Sequence, residues 1–304
     1  MKLSIIIPIY NESKSIAELY DRLRSVLEDS KINDWEVWLI DDGSKDNIKD
    51  VVEDLKKSSK NFRYLKLRKN LGKTWALRAG LARVKGDIVV TMDGDLQDEP
   101  ENLPSMLREL KNADLVVGWK KSRYDDWTKV WPSRVFNWMV SKTTGLKVHD
   151  LNCGLKVMKR KVADELILYG ELHRFVPLLA HERGFRVREI VVQHAPRKYG
   201  VSKYGWKRMF VGLYDLMTLL FLIRFGRRPG QYFGIIGSVF TLMGVGTGSY
   251  LTYVWFMGEK IGGRPLLNLA VLLVVVGIQM VSFGFLAEMM VNMKMSSDEL
   301  PIDE

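Results

Sequence analysis

The sequence predicts an α/β domain with a mostly parallel sheet and helices on both faces. An interfacial amphipathic helix and two transmembrane helices follow it. Three observations carry this. Short apolar, β-branched runs alternate with helical segments through the first 120 residues. Polar residues stand where those runs end, acidic ones after the first, second and fourth. Two late stretches, 231–257 and 266–287, contain no charged residue, and each exceeds the ~20 residues a bilayer span needs.

Leu3–Ile9 forms the first predicted strand, with Asn11-Glu12-Ser13 capping a helix to about Leu27. Trp35–Ile40 is the second, ending in Asp41-Asp42-Gly43-Ser44, and a polar helix starts at Ser44 or Asp46 and runs to about Lys57. Phe62–Leu67 is the third, followed by an Asn70-Leu71-Gly72-Lys73 turn and a helix over Thr74–Val84. Ile88–Met92, a helix over Pro100–Leu110 and a fifth strand at Leu115–Trp119 complete the alternation, and an apolar strand follows the turn at 149–154.

The fourth strand leads into Asp93-Gly94-Asp95-Leu96-Gln97. Open α/β sheets bind ligands at the carboxyl ends of their strands. Two carboxylates one residue apart there can turn toward one hard cation, and Gln97 adds a neutral oxygen. Mg²⁺ or Mn²⁺ takes oxygen ligands of this kind and needs only one or two carboxylates when phosphates complete its shell. Asp93, Asp95 and Gln97 therefore read as a metal–diphosphate site. Tyr10 offers a ring for a base, and Glu12 and Asp41 or Asp42 offer acceptors for a base or ribose. Neither a G-x-G-x-x-G after the first strand nor a G-x-x-x-x-G-K-[ST] occurs, so dinucleotide and P-loop readings lose support.

Charge narrows the partners. The net charge is +10, and +7 of it lies between Arg197 and Arg228, just before the apolar stretches. A juxtamembrane basic belt explains that placement better than nucleic-acid binding. By the positive-inside rule the belt, the catalytic domain and both termini lie in the cytoplasm. The leading apolar run is too short for a signal peptide, and the single cysteine, Cys153, excludes an internal disulfide. The expected organisation is a catalytic domain over 1–205, juxtamembrane helices over 206–228, spans at about 231–257 and 266–289 within 229–291, and a tail over 292–304. Glycines at 234, 237, 244, 246 and 248 allow close helix packing within the chain or between subunits of a homo-oligomer.

Three further segments carry candidate chemistry. Lys120, Lys121, Arg123, Lys129 and Arg134 lie among Trp119, Tyr124, Trp127, Trp131 and Trp138, a mixture suited to a membrane interface or an anionic headgroup. Asp150 sits in a polar turn, as a general base or as an orienting group for a hydroxyl or an Arg. The glycine-punctuated run from Arg197 to Gly205 can close over a diphosphate. His173, His181 and His194 have no metal-ligand spacing and read as structural, and Cys153 reads as an inert thiol.

Pro8-Ile9-Tyr10-Asn11-Glu12, Asp41-Asp42-Gly43-Ser44, Arg68-Lys69-Asn70-Leu71-Gly72-Lys73 and Asp93-Gly94-Asp95-Leu96-Gln97 together resemble inverting family 2 glycosyltransferases of the GT-A fold. With Asn152-Cys153-Gly154, the Arg197–Gly205 loop and the two spans, the chain is similar to the polyprenyl-phosphate glycosyltransferases, the group of dolichol-phosphate mannose synthase and bacterial undecaprenyl-phosphate glucosyltransferases. The Q-x-x-R-W of processive synthases is missing. The resemblance implies a UDP- or GDP-hexose donor (glucose or mannose), a polyprenyl-phosphate acceptor and Mg²⁺ or Mn²⁺. Pro8, Tyr10, Glu12 and Asp41 or Asp42 would contact the nucleoside, and Asp93, Asp95 and Gln97 the metal. Arg197, Lys198, Ser202 and Lys203 would contact the donor phosphates, and Arg123 and Arg134, with Lys120 in reserve, the lipid phosphate. Asp95 and Arg197 would be catalytic by charge stabilisation. Asp150 is less needed as a base, because a phosphate acceptor is already anionic. The rival readings are a different lipid-linked acceptor and a catalytically silent membrane module that binds sugar nucleotides or lipid.

Overall fold

The structure is a computed structural model that describes residues 2–121, 141, 144–195, 198, 217–218, 221, 225 and 228–295. The chain divides into two compact units, Met1–Trp206 and Lys207–Glu304.

In the first unit the elements are β1 (Leu3–Ile9), α1 (Ser13–Asp29), β2 (Trp35–Asp41), α2 (Ile48–Ser58), β3 (Phe62–Lys66), α3 (Lys73–Leu81), β4 (Ile88–Thr91), α4 (Leu103–Glu109), β5 (Leu115–Trp119), β6 (Lys156–Lys159), α5 (Arg160–Glu165), α6 (Val176–Glu182) and β7 (Val187–Val191). They form a seven-stranded sheet in the order β3-β2-β1-β4-β6-β5-β7. β1 pairs parallel with β2 (Leu3 opposite Trp35, Ile9 opposite Asp41) and with β4 (Leu3 opposite Ile88), and β3 and β7 join parallel to β2 and β5. β6 alone runs antiparallel, between β4 and β5. The central strands are apolar throughout because helices cover both faces: Ile5, Ile6, Val89, Val90, Val116 and Val157 are fully buried.

Two expectations about helix starts change. Asp46 does not open α2, which begins at Ile48; its Oδ2 instead accepts the Ser13 N–H at 2.8 Å and so caps α1 from a neighbouring loop. Asn11, at φ +57°, uses its side-chain oxygen on the Lys45 N–H at 2.8 Å. Ser44 is held in a turn by Asp41, whose Oδ1 accepts its N–H at 2.7 Å. Glycine is required at Gly80, where an added Cβ would lie 2.5 Å from Ile6 Cγ2, so α3 packs directly on β1.

The second unit contains α7 (Pro229–Phe256) and α8 (Pro265–Met295), both long and apolar enough to cross a membrane. Their apolar side chains face outward: Leu242 is 70 % exposed and Phe256 76 %. A soluble core helix would bury them, so this surface suits lipid. The helices pack through glycine. A Cβ on Gly237 would lie 2.5 Å from the Gly277 carbonyl, and one on Gly244 would lie 2.8 Å from the Ala270 carbonyl. Glu288 Oε2 accepts the Gly230 N–H at 2.9 Å, at the first turn of α7. The amphipathic helix expected over 206–228 lies mostly outside the described residues.

Candidate active site

The carboxyl ends of β1, β2 and β4 lie side by side, as the parallel register requires. Loops leaving these strands converge on one edge, and eight of the eleven predicted site residues that the structure describes stand there.

At the end of β2, Asp41 is fully buried. Its carboxylate accepts the Ser44 N–H at 2.7 Å and the Tyr64 hydroxyl at 2.7 Å, with Lys66 Nζ at 3.5 Å. Burial works to raise its pKa, but the Ser44 and Tyr64 bonds and Lys66 hold it below the usual value on balance. Asp42 points the other way, and its two oxygens accept the Leu71 and Gly72 N–H groups at 2.7 and 2.8 Å. Both carboxylates thus order the loops that leave β2 and β3. Pro8, Tyr10 and Glu12 lie at the end of β1 and beyond it, each partly exposed.

At the end of β4 the loop is tightly built. Ser15 Oγ donates to the Gly94 carbonyl at 2.6 Å, and a Cβ on Gly94 would lie 2.8 Å from Ile9 Cγ2. Leu96 takes φ +64°, and Asp95 Oδ1 accepts the Gln97 N–H at 3.2 Å. Asp95 is 8 % exposed, whereas the Asp93 side chain is 30 % exposed and meets the ammonium of Lys73, the first residue of α3. Burial works to raise the Asp93 pKa, but Lys73, Lys120 and Lys156 outweigh it and hold the carboxyl far below the usual range. Lys156 donates to the Cys153 carbonyl and is almost wholly buried; burial lowers its pKa to about 8.

Lys120 lies at the end of β5 and pairs with Asp98 at 2.8 Å. Lys121 Nζ lies 5.8 Å from the Trp119 ring centre. Lys198 pairs with Glu18 on α1 at 2.7 Å. Arg123, Arg134, Arg197, Ser202 and Lys203 lie outside the described residues.

The turn carrying Asp150 is anchored on β7. Glu189 accepts the N–H groups of His149 and Asp150, at 2.9 and 2.7 Å, and the His149 ring stacks on Trp119 at 4.1 Å. Asp150 is buried and its Oδ1 accepts the Asn152 N–H at 3.2 Å, an arrangement that orders the turn. Burial pushes the Cys153 thiol up to about 12. His173 shares a 2.7 Å hydrogen bond with Thr74, His181 lies 3.3 Å from the Thr144 carbonyl, and His194 lies 2.9 Å from the Gln97 carbonyl.

Among the described residues no group of three or more His, Cys, Asp or Glu side chains could hold a metal alone. A divalent cation fits only if a ligand's phosphates complete its shell, which Mg²⁺ and Mn²⁺ accept. Asp95 is then the leading carboxylate, with Gln97 beside it, because Asp93 already faces Lys73. A small cavity lined by Pro8, Lys73, Asp93, Gly154, Lys156 and His173 holds about 10 Å³, room for one water.

Sequence reasoning assigned no site role to Lys73, Asp98, Gly154 or Lys156. The visible signals were a lysine closing the Asn70-Leu71-Gly72 turn and a third carboxylate three residues after Asp95.

Residues 4–167 match the family described as Glycosyl transferase family 2. A dodecaprenyl-phosphate galacturonate synthase of Rhizobium johnstonii is 35 % identical over 308 residues, spanning 99 % of this chain and 91 % of that protein. Among solved structures, glucosyl-3-phosphoglycerate synthase of Mycobacterium tuberculosis with Mn²⁺, UDP-glucose and phosphoglyceric acid superposes with a TM-score of 0.56. It is 17 % identical, over 73 % of this chain and 79 % of that one. The same enzyme with phosphoglyceric acid alone gives 0.55 at 18 % identity, with the same coverage. This likeness extends to the fold. Sheet order, the loop after β4 and the family match agree: the chain belongs to glycosyl transferase family 2, as a GT-A-fold glycosyltransferase with two apolar C-terminal helices.

Proposed function

We propose that the protein transfers a sugar from a nucleoside diphosphate to a polyprenyl phosphate at a membrane, inverting the anomeric carbon. The observation that carries this is the 35 % identity to a dodecaprenyl-phosphate sugar synthase over 99 % of the chain, apolar helices included. The basic belt before α7 supports a cytoplasmic catalytic unit and a cytoplasmic return of the tail.

The nucleoside lies along the ends of β1 and β2, beside Pro8, Tyr10 and Glu12, in loops that Asp41 and Asp42 shape. The donor diphosphate lies across Asp93–Gln97. Asp95, with Gln97 and Asp93 near, would hold Mg²⁺ or Mn²⁺, which when bound would supply positive charge against the leaving diphosphate. Lys73 keeps Asp93 ionised at the site. Lys198 and, in the segment beyond 195, Arg197, Ser202 and Lys203 add phosphate contacts. Arg123 and Arg134 receive the lipid phosphate. That phosphate is already an anion, so no strong base is required; Asp150, held in an ordered turn, positions the neighbouring residues. Rate enhancement rests on alignment and fixed charge.

The test uses the full chain in detergent with Mn²⁺ or Mg²⁺, a short-chain polyprenyl phosphate and labelled UDP- and GDP-sugars. Glucose and mannose donors stand for the resemblance, and UDP-galacturonate for the Rhizobium relative. Label entering the organic phase from one donor, and lost with EDTA, is the expected result and names the sugar. Metal-dependent nucleotide binding without transfer would reassign the acceptor. Neither binding nor transfer would favour a silent lipid-binding module.

A further inference from the structure

The loop after β4 ends in a third carboxylate that the proposed reaction does not use. Asp98 is 2 % exposed. Its Oδ2 accepts the N–H of Asp93, five residues back, at 3.2 Å, so the loop is closed on itself. Its Oδ1 meets Lys120 Nζ at 2.8 Å, which joins the loop to the end of β5. Its backbone forms an antiparallel bridge with His194, while the Gln97 carbonyl accepts the Ala195 N–H at 3.2 Å. Residues 93–98 are thereby tied to the chain that leads into the Arg197 loop.

Gly154 explains how two carboxylates stand so close. A Cβ there would lie 2.5 Å from Asp93 Oδ2 and 2.6 Å from Asp98 Oδ2, so both groups converge on one glycine. Adjacent like charges repel unless each has a counter-ion. Lys73 serves Asp93 and Lys120 serves Asp98. The Lys120 side chain is only 14 % exposed. Burial works to discharge it, yet the carboxylates of Asp98 and Asp93 keep it firmly protonated.

We propose that Asp98 is a positioning residue that sets Asp93–Gln97 for the donor diphosphate, and that Lys120 is its counter-ion and not a ligand of the acceptor phosphate. The donor role rests on the site reading above. On this proposal Lys120 leaves the place beside Arg123 and Arg134 that the resemblance implied for it. A lysine already committed to a buried carboxylate cannot also turn to a lipid phosphate without stranding that carboxylate.

The test compares Asp98→Asn, Lys120→Met, Lys120→Arg and the Asp98→Asn/Lys120→Met double variant, all as full chains in detergent. Melting without ligand is read first, then Mn²⁺-dependent binding of UDP and GDP, then the KM for a short polyprenyl phosphate. Each neutralising single variant is expected to lower the melting temperature, and the double to lower it by less than the two together. Each should weaken Mn²⁺-dependent nucleotide binding by about tenfold or more, as loss of a group that orients a metal ligand does. Acceptor KM should stay unchanged, and Lys120→Arg should retain most nucleotide binding. Additive melting effects would overturn the pairing. A raised acceptor KM with unchanged nucleotide binding in Lys120→Met would return Lys120 to the acceptor site. Wild-type protein that binds no nucleotide with Mn²⁺ would sink the donor-site reading and the positioning role with it, while the melting cycle still decides the pairing.

Discussion

Asp42 Oδ2 accepts the N–H of Gly72 at 2.8 Å, thirty residues away, and fixes the start of α3 against the end of β2. Gly72 takes φ +95°, a backbone that side chains rarely adopt, and the other Asp42 oxygen holds Leu71 at 2.7 Å. This clamp places Lys73 in front of Asp93. Asp42→Ala removes two charge-assisted bonds and should destabilise the domain by about 2–4 kcal/mol. Asp42→Asn, which keeps one acceptor oxygen, should lose roughly half as much. Chemical denaturation of the two variants checks this, and equal losses would mean that only the charge matters.

Lys73, the residue after the Asp42 clamp, supplies positive charge beside Asp93. Lys73→Met should lower transfer by about 10²-fold, as removal of one preorganised charge-stabilising group commonly does. Lys73→Arg should fall less. The melting temperature should fall as well, because Asp93 loses its counter-ion beside Asp98. Normal turnover in Lys73→Met would remove the residue from the site.

His173 gives the domain an acid sensitivity above the carboxylate range. Burial, helped by Lys73, Arg174 and Lys156, pushes its pKa down to about 2. The unfolded chain takes up this proton near pH 6.5, whereas the folded chain does not. Stability from this group is therefore intact above pH 6.5 and falls as pH drops below it, by up to about 1.4 kcal/mol per pH unit. His173→Gln, which can keep a bond to Thr74, should melt with a shallower pH slope between pH 7 and 5. An unchanged slope would mean that other groups set the acid response.

The helical hairpin depends on contact without side chains. A Cβ on Gly277 would lie 2.7 Å from both the Gly237 carbonyl and the Thr241 nitrogen. Gly277→Leu should force α7 and α8 apart and cost about 1–3 kcal/mol. Gly246→Leu should be neutral, because nothing lies within 4 Å of that Cβ position. Unfolding of both variants by titrated SDS checks the contrast.

Local pattern was enough to place the first five strands, the acidic loop after β4 and the two apolar stretches, because each depends on neighbours within a few residues. A strand shows its period, a loop its turn residues, and a span its lack of charge. The limits of α2, the cap of α1 and the edge strand β7 were not legible in this way. Asp46 looked like a helix start because Asp is a common cap; it does cap a helix, but α1, thirty-three residues earlier.

What the sequence by itself determined was the α/β alternation, the position of Asp93, Asp95 and Gln97 at a strand's end, and the presence of two bilayer-length helices. What only the tertiary structure decided was which charges meet. β6 enters antiparallel between β4 and β5 and sets Gly154 against Asp93 and Asp98. That same sheet order carries Lys120 to Asp98, while α3 delivers Lys73 to Asp93. These partners are 20 or more residues apart, and nothing in a local window encodes their distance. The physical reason is that charge pairing in a buried edge is set by strand order and by the space one glycine leaves, and both exist only once the sheet has formed.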